Sequence, residues 1–187
     1  MRRGGVQQDH RIRDAPAKVV CMASTHLVIL GERTALRWVI TQQRMAFPAG
    51  RARQTRPVHE GDEVMLYTTR GCFRNPTRDV GRIIGLGVVT TPVSVLSAPV
   101  RFGEREFTTG CGIQIRGLAP VREGLDIREL VHALDVFPNS RGWAVRLRRT
   151  TLALPERDAE LLRSKLKPYL KPYEEAVAGY EQLPVSV

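Results

Sequence analysis

Two strand-like segments joined by an arginine-rich loop constrain this chain more than any other feature. They lie in residues 61–90, GDEVMLYTTRGCFRNPTRDVGRIIGLGVVT. Residues 64–69 mix β-branched and aromatic side chains, and Gly61-Asp62 just before them is a turn signal. Residues 82–91 are apolar except at their ends, with Gly85 and Gly87 where a barrel strand bends sharply or admits another backbone closely. Between the two, Arg70, Arg74, Arg78 and Arg82 recur at every fourth position around Cys72, Phe73, Asn75 and Pro76, with no acidic residue between Glu63 and Asp79. Any one of these arginines alone reads as a solvated or acid-paired side chain. As a group they suit a phosphate chain, while a ring and an amide are the groups that read a base.

The Gly61-Asp62 turn leads into Val64-Met65-Leu66-Tyr67, and Gly81-Arg82-Ile83-Ile84-Gly85 leads into Val88-Val89-Thr90. Together they make a GDxVxxY … GRxxGxGxV pattern that resembles the EVE domain, one of the PUA-like group of small β-barrels that includes YTH, ASCH and SRA domains. The likeness runs from about Leu27 to about Leu154. The family's usual opening, a strand that starts with Trp and is followed by an Arg-Asn pair, has no counterpart; Trp38 and Phe47-Pro48 occupy that region without matching it. The resemblance implies an α+β fold: a PUA-like twisted β-barrel flanked by helices, with a C-terminal helical appendage. It also makes a methylated base, 5-methylcytosine or N6-methyladenine, the most attractive ligand.

Charge points the same way. Residues 1–149 carry 24 Lys and Arg against 13 Asp and Glu, whereas residues 150–187 are nearly balanced at 5 against 6. An excess of that size favours nucleic acid or another polyanion, and the resemblance, with its methylated DNA bases, implies DNA in preference to RNA. Of the 29 cationic residues 25 are Arg, a ratio that codon usage in a GC-rich genome explains as well as selection for bidentate phosphate contacts. Besides the first loop, Arg51, Arg53 and Arg56 form a second basic patch, and Arg146, Arg148 and Arg149 a third.

The 187 residues suffice for one domain with a proper core. Residues 1–21 read as a basic, disordered extension, since Met22 opens the phrase MASTHLVIL and residues 1–18 offer almost nothing to bury. Residues 22–155 form the expected barrel domain and 156–187 the appendage. Residues 26–30 predict a strand. Residues 33–44 read either as a helix, which leaves Trp38 and Met45 off the apolar stripe, or as a strand over 38–42 with Trp38 turned inward. Residues 48–58 read as a loop beginning at Phe47-Pro48, then strands at 92–100 and 107–118 flank a turn at 102–104. A helix is expected over 126–134 with Asp126 as its cap, a strand over 143–149 with one cationic face, and a helix from Pro155 to Lys167.

The candidate base pocket draws its walls from Trp38, Phe47, Phe73 and Trp143, and its polar readers from Tyr67, Asn75 and Ser24. Tyr67 and Trp143 also fit apolar strand patterns and so double as core candidates. Phe73, in a polar loop, has no core stripe to join. No catalytic constellation emerges. Cys21, Cys72 and Cys111 stand far apart with no CxxC, His59 and His132 lack partners at ligand spacing, and no phosphate-loop or dinucleotide fingerprint exists. Neither cofactor nor metal is expected. With no apolar run of membrane-spanning length and no signal-peptide pattern, the expected location is the cytoplasm, away from membranes. The expected function is nucleic-acid binding with recognition of a methylated base. Its rivals are an RNA-binding protein acting on tRNA or rRNA without modification specificity, and a nucleotide-acting hydrolase.

Overall fold

The computed structural model of the protein describes residues 23–48, 58–75 and 77–184. The expected extension 1–21, the patch Arg51, Arg53 and Arg56, and Pro76 lie outside the described residues. The chain runs β1 (Thr25–Leu30), α1 (Arg33–Gln42), β2 (Arg44–Pro48), β3 (Glu63–Thr68), β4 (Arg82–Val89), β5 (Ser94–Phe102), β6 (Arg105–Leu118), β7 (Leu125–Asp126), β8 (Thr151–Leu154), α2 (Glu156–Leu166) and α3 (Tyr173–Glu181). Short 3-10 turns occupy Val131–Ala133, Trp143–Arg148 and Lys167–Tyr169.

All eight strands belong to one mixed sheet in the order β2-β6-β4-β3-β1-β8, with β5 added to β6 and β7 to β4. β1 and β3 run parallel and the other pairs antiparallel. β6 makes the sheet curl. Its last residues pair with β4, while its first half is held between β2 and β5, so one 14-residue strand serves both parts of a half-barrel. The glycines of β4 permit this bend. The β4–β6 register shifts between Leu86 and Gly87, and a Cβ on Gly87 would lie 2.6 Å from the Gln114 carbonyl oxygen.

The central strands are apolar on both faces because both faces are covered. Val28, Leu30, Val64, Leu66 and Ile84 face one core, closed by Leu36, Val39 and Ile40 of α1 and by Ala176 and Tyr180 of α3. Their alternates Leu27, Met65, Tyr67 and Ile83 face a second core with Leu152 and Leu154 and with Ala159, Leu162 and Leu166 of α2. The C-terminal helices therefore belong to both cores. Tyr180 Oη donates to the Ala119 carbonyl at 2.8 Å and Tyr173 Oη to that of Ile40 at 2.9 Å.

One open choice is resolved and three local expectations are corrected. Residues 33–42 are helical, so Trp38 lies on a helix, and Phe47-Pro48 end strand β2 rather than open a loop. The segment 126–134 is no helix: Asp126 pairs with Arg82 in the sheet and accepts the Arg128 amide at 3.0 Å, a two-residue turn that forestalls helical bonding. Residues 143–148 coil into a 3-10 turn instead of a strand, and the edge strand that pairs with β1 starts only at Thr151. Among the described residues no helix is long and apolar enough to cross a membrane.

Candidate functional site

The candidate site lies between β2 and the C-terminal end of β1. A cavity of about 480 Å3 is lined by the end of β1 and the start of α1 (Val28–Glu32, Ala35, Val39), by Met45–Pro48 of β2, by Phe102, Arg105 and Phe107 of the β5–β6 hairpin, and by Leu147–Thr150 with Thr69. Sheet topology explains why these distant segments meet. Because β1 and β3 are parallel while β8 is antiparallel to β1, the end of β3 and the beginning of β8 emerge at the same end of the sheet, on either side of Leu30. Two backbone bonds pin them: Thr69 N–H donates to the Leu30 carbonyl at 3.0 Å, and Ile29 N–H to that of Thr150 at 2.9 Å.

Three phenylalanines give the cavity its apolar character. Phe102 and Phe107 meet edge to face, centroids 5.2 Å apart, on the two arms of the hairpin; Phe47 comes from β2. Among the described residues the charged ones lining it are Glu32, Arg105, Arg148 and Arg149. None of these three arginines forms an ion pair among the described residues, unlike Arg101, Arg128, Arg157 and Arg163, which each hold a carboxylate. Cationic forks at the edge of an aromatic cavity are open to an anionic ligand.

The sequence-predicted residues divide around this cavity. Phe47 and Arg148 line it. Trp38 stands behind it, half-buried, with its ring edge-on to Phe102 at 5.7 Å, and so supports a wall without being one. Arg70 follows directly on the lining residue Thr69 and is exposed, as are Arg74, Arg78 and Arg146. Arg82 differs, reaching the Gly124 carbonyl at 3.4 Å from within β4. Ser24 and Asn75 do not line the cavity. The Ser24 amide donates to Asp62 at 2.9 Å, and the Asn75 side chain accepts from the Thr77 hydroxyl at 3.0 Å.

Phe73 and Tyr67 are core residues, Trp143 packs half-buried against the second core, and none of the three lines the cavity. The turn after β3 folds back through Cys72 N–H to the Thr69 carbonyl (3.0 Å) and Arg74 N–H to that of Gly71 (2.9 Å), which tucks Phe73 inward to 8% exposure. The Arg122 guanidinium covers its ring at 5.3 Å. Trp143 packs edge-on against Phe137 at 5.6 Å in the second core. Tyr67 is fully buried, and burial, with Asp126 adding to it, pushes its hydroxyl up to about 12. Sequence reasoning missed Phe102, Phe107, Arg105 and Glu32. The one available signal was a pair of phenylalanines bracketing the predicted turn at Gly103.

Away from the cavity, Asp62 is buried under β1 and accepts the His59 amide at 2.8 Å, the Ser24 amide at 2.9 Å and a contact from His26 Nε2 at 3.1 Å. This arrangement fixes the Gly61-Asp62 turn to the start of β1. Burial pushes the Cys72 thiol up to about 12, with Asp79 adding to the effect, and Cys111 up to about 11; both are protonated at neutral pH and unsuited to nucleophilic attack. Among the described residues no group of three or more His, Cys, Asp or Glu is placed to hold a metal ion.

No protein-family model matches the chain, and no curated protein matches it. Among solved structures it is similar to the NMR structure of a structural-genomics target from Rhodopseudomonas palustris, with 12% identity over 78% of this chain and 94% of that one and a TM-score of 0.46.

Proposed function

We propose that the chain is a PUA-like protein of EVE type that binds nucleic acid and takes one base into the cavity beside β2. The observation that carries this reading is the combination of three phenylalanines inside the cavity with three arginines at it that have no ion-pair partner among the described residues. Its volume of about 480 Å3 falls within the roughly 300 to 1,000 Å3 usual for ligand sites. Stacking on an aromatic ring is worth about 1 to 3 kcal/mol per base, and extruding a nucleotide from a duplex costs a few. Aromatic contact plus phosphate clamping by Arg148, Arg149 and the exposed Arg70, Arg74 and Arg78 offsets that cost. A methyl group on the base gains about 0.8 kcal/mol against the phenylalanines, which is why a methylated base remains the preferred ligand.

The test is a binding panel of matched DNA and RNA oligonucleotides, each with and without 5-methylcytosine or N6-methyladenine. DNA with a methylated base should bind tightest. Equal binding of RNA irrespective of modification would transfer the reading to an RNA-binding protein of the same fold. Binding to none would overturn it.

A further inference from the structure

Resting on the reading that a base enters the cavity, one discrimination remains that apolar walls cannot make. 5-Methylcytosine and thymine share ring size and the 5-methyl group, so Phe47, Phe102 and Phe107 contact them alike. They differ at position 4, where cytosine carries an amine donor and thymine a carbonyl acceptor. N6-methyladenine also keeps one N–H donor at the corresponding edge. The cavity's arginines are donors only and favour the carbonyl. A site for an amino-bearing base therefore needs an acceptor, and Glu32 is the acidic residue among the described lining residues.

The Glu32 carboxylate makes no bond that holds the fold among the described residues, although its charge is felt at the buried Cys72 thiol. It stands at the N-cap position of α1 in extended conformation (φ −131°, ψ 137°), yet its side chain makes no capping bond. Only its backbone carbonyl serves the helix, accepting the Leu36 amide at 2.9 Å. Although half-buried, its carboxylate has no ion-pair or hydrogen-bond partner among the described residues. Glutamate is also a poor choice for an N-cap, where Ser, Thr, Asp or Asn would bond the helix directly. We infer that Glu32 is the specificity-determining residue of the cavity. It accepts a hydrogen bond from the exocyclic amine of a cytosine- or adenine-type base and rejects thymine and uracil, whose carbonyl meets a carboxylate with no proton to give.

Titrations of the full chain with otherwise identical oligonucleotides carrying cytosine, 5-methylcytosine, adenine or thymine at one position measure this directly. The wild type should bind the amino-bearing bases about 10-fold or more tighter than thymine, the scale of one well-formed base contact. Glu32→Gln keeps the shape but adds N–H donors, and should abolish that margin while melting temperature and salt dependence stay unchanged. Glu32→Ser, which restores a favoured N-cap and removes the carboxylate, gives the same comparison on a chain whose helix start is reinforced. Retention of the preference in both variants overturns the role of Glu32, as does equal binding of thymine by the wild type. If the wild type binds no oligonucleotide, the base-binding reading beneath it falls as well.

Discussion

Burial governs the ionisable side chains this chain keeps inside. Against ordinary values of 9.0 for a thiol and 10.0 for a phenol, burial raises Cys72 to about 12, Cys111 to about 11 and Tyr67 to about 12. Below pH 9 folded and unfolded chains alike hold these protons. Between about pH 9 and 12 the unfolded chain releases them first, so stability falls as pH rises, by up to about 1.4 kcal/mol per pH unit for each group. Urea unfolding from pH 8 to 11 should show this decline, and Cys72→Ala should flatten part of it; a level profile would contradict the burial of these groups. Phe73 belongs to the same interior, so replacing it by Ala should lower unfolding free energy by about 3 to 5 kcal/mol. Phe73 was illegible in the sequence because a loop has no periodicity to reveal which way a ring turns. Its burial depends on the fold-back at Thr69 and on Arg122, about fifty residues further along the chain.

At the scale of elements, strands with both faces covered were easy to read and short irregular segments were not. β3 and β4 are largely continuous apolar runs and β6 alternates Cys111, Ile113 and Ile115 inward, and the pinch at Gly87 was visible as a glycine inside such a run. By contrast, residues 143–148 alternate like a strand, with Trp143 and Leu147 turned toward the second core, yet form a 3-10 turn. Two-residue alternation over so few residues cannot distinguish the two, and pairing with β1 was available only to Thr151–Leu154. α3 gives this scale its prediction. Tyr180 is fully buried and its hydroxyl satisfies the Ala119 carbonyl, so Tyr180→Phe strands a buried acceptor and should cost about 1 to 3 kcal/mol by chemical denaturation. No loss would mean that α3 is held by its apolar contacts alone.

Over the whole molecule, the curled sheet determines where charge collects. The loop after β3 and the segment before β8 leave the same end of the sheet, so Arg70 and the pair Arg148-Arg149, nearly eighty residues apart in sequence, come to flank one cavity. The basic excess of residues 1–149 was plain from composition, but the cavity was not. Its walls come from residues 28–32, 45–48, 102–107 and 147–150, and no local pattern records that closure. Replacing Arg148 by Gln should reduce the slope of log affinity against log salt by about 1, if that side chain holds one phosphate. The most direct test of base insertion with phosphate clamping is affinity for one duplex oligonucleotide across a salt series, for the wild type and Phe107→Ala side by side. Neutralisation of about 4 to 6 phosphates gives a slope of roughly −4 to −5. Loss of a stacking wall should displace the variant's line in parallel, by about 1 to 3 kcal/mol. A wild-type slope near zero, or two superimposed lines, would contradict the account.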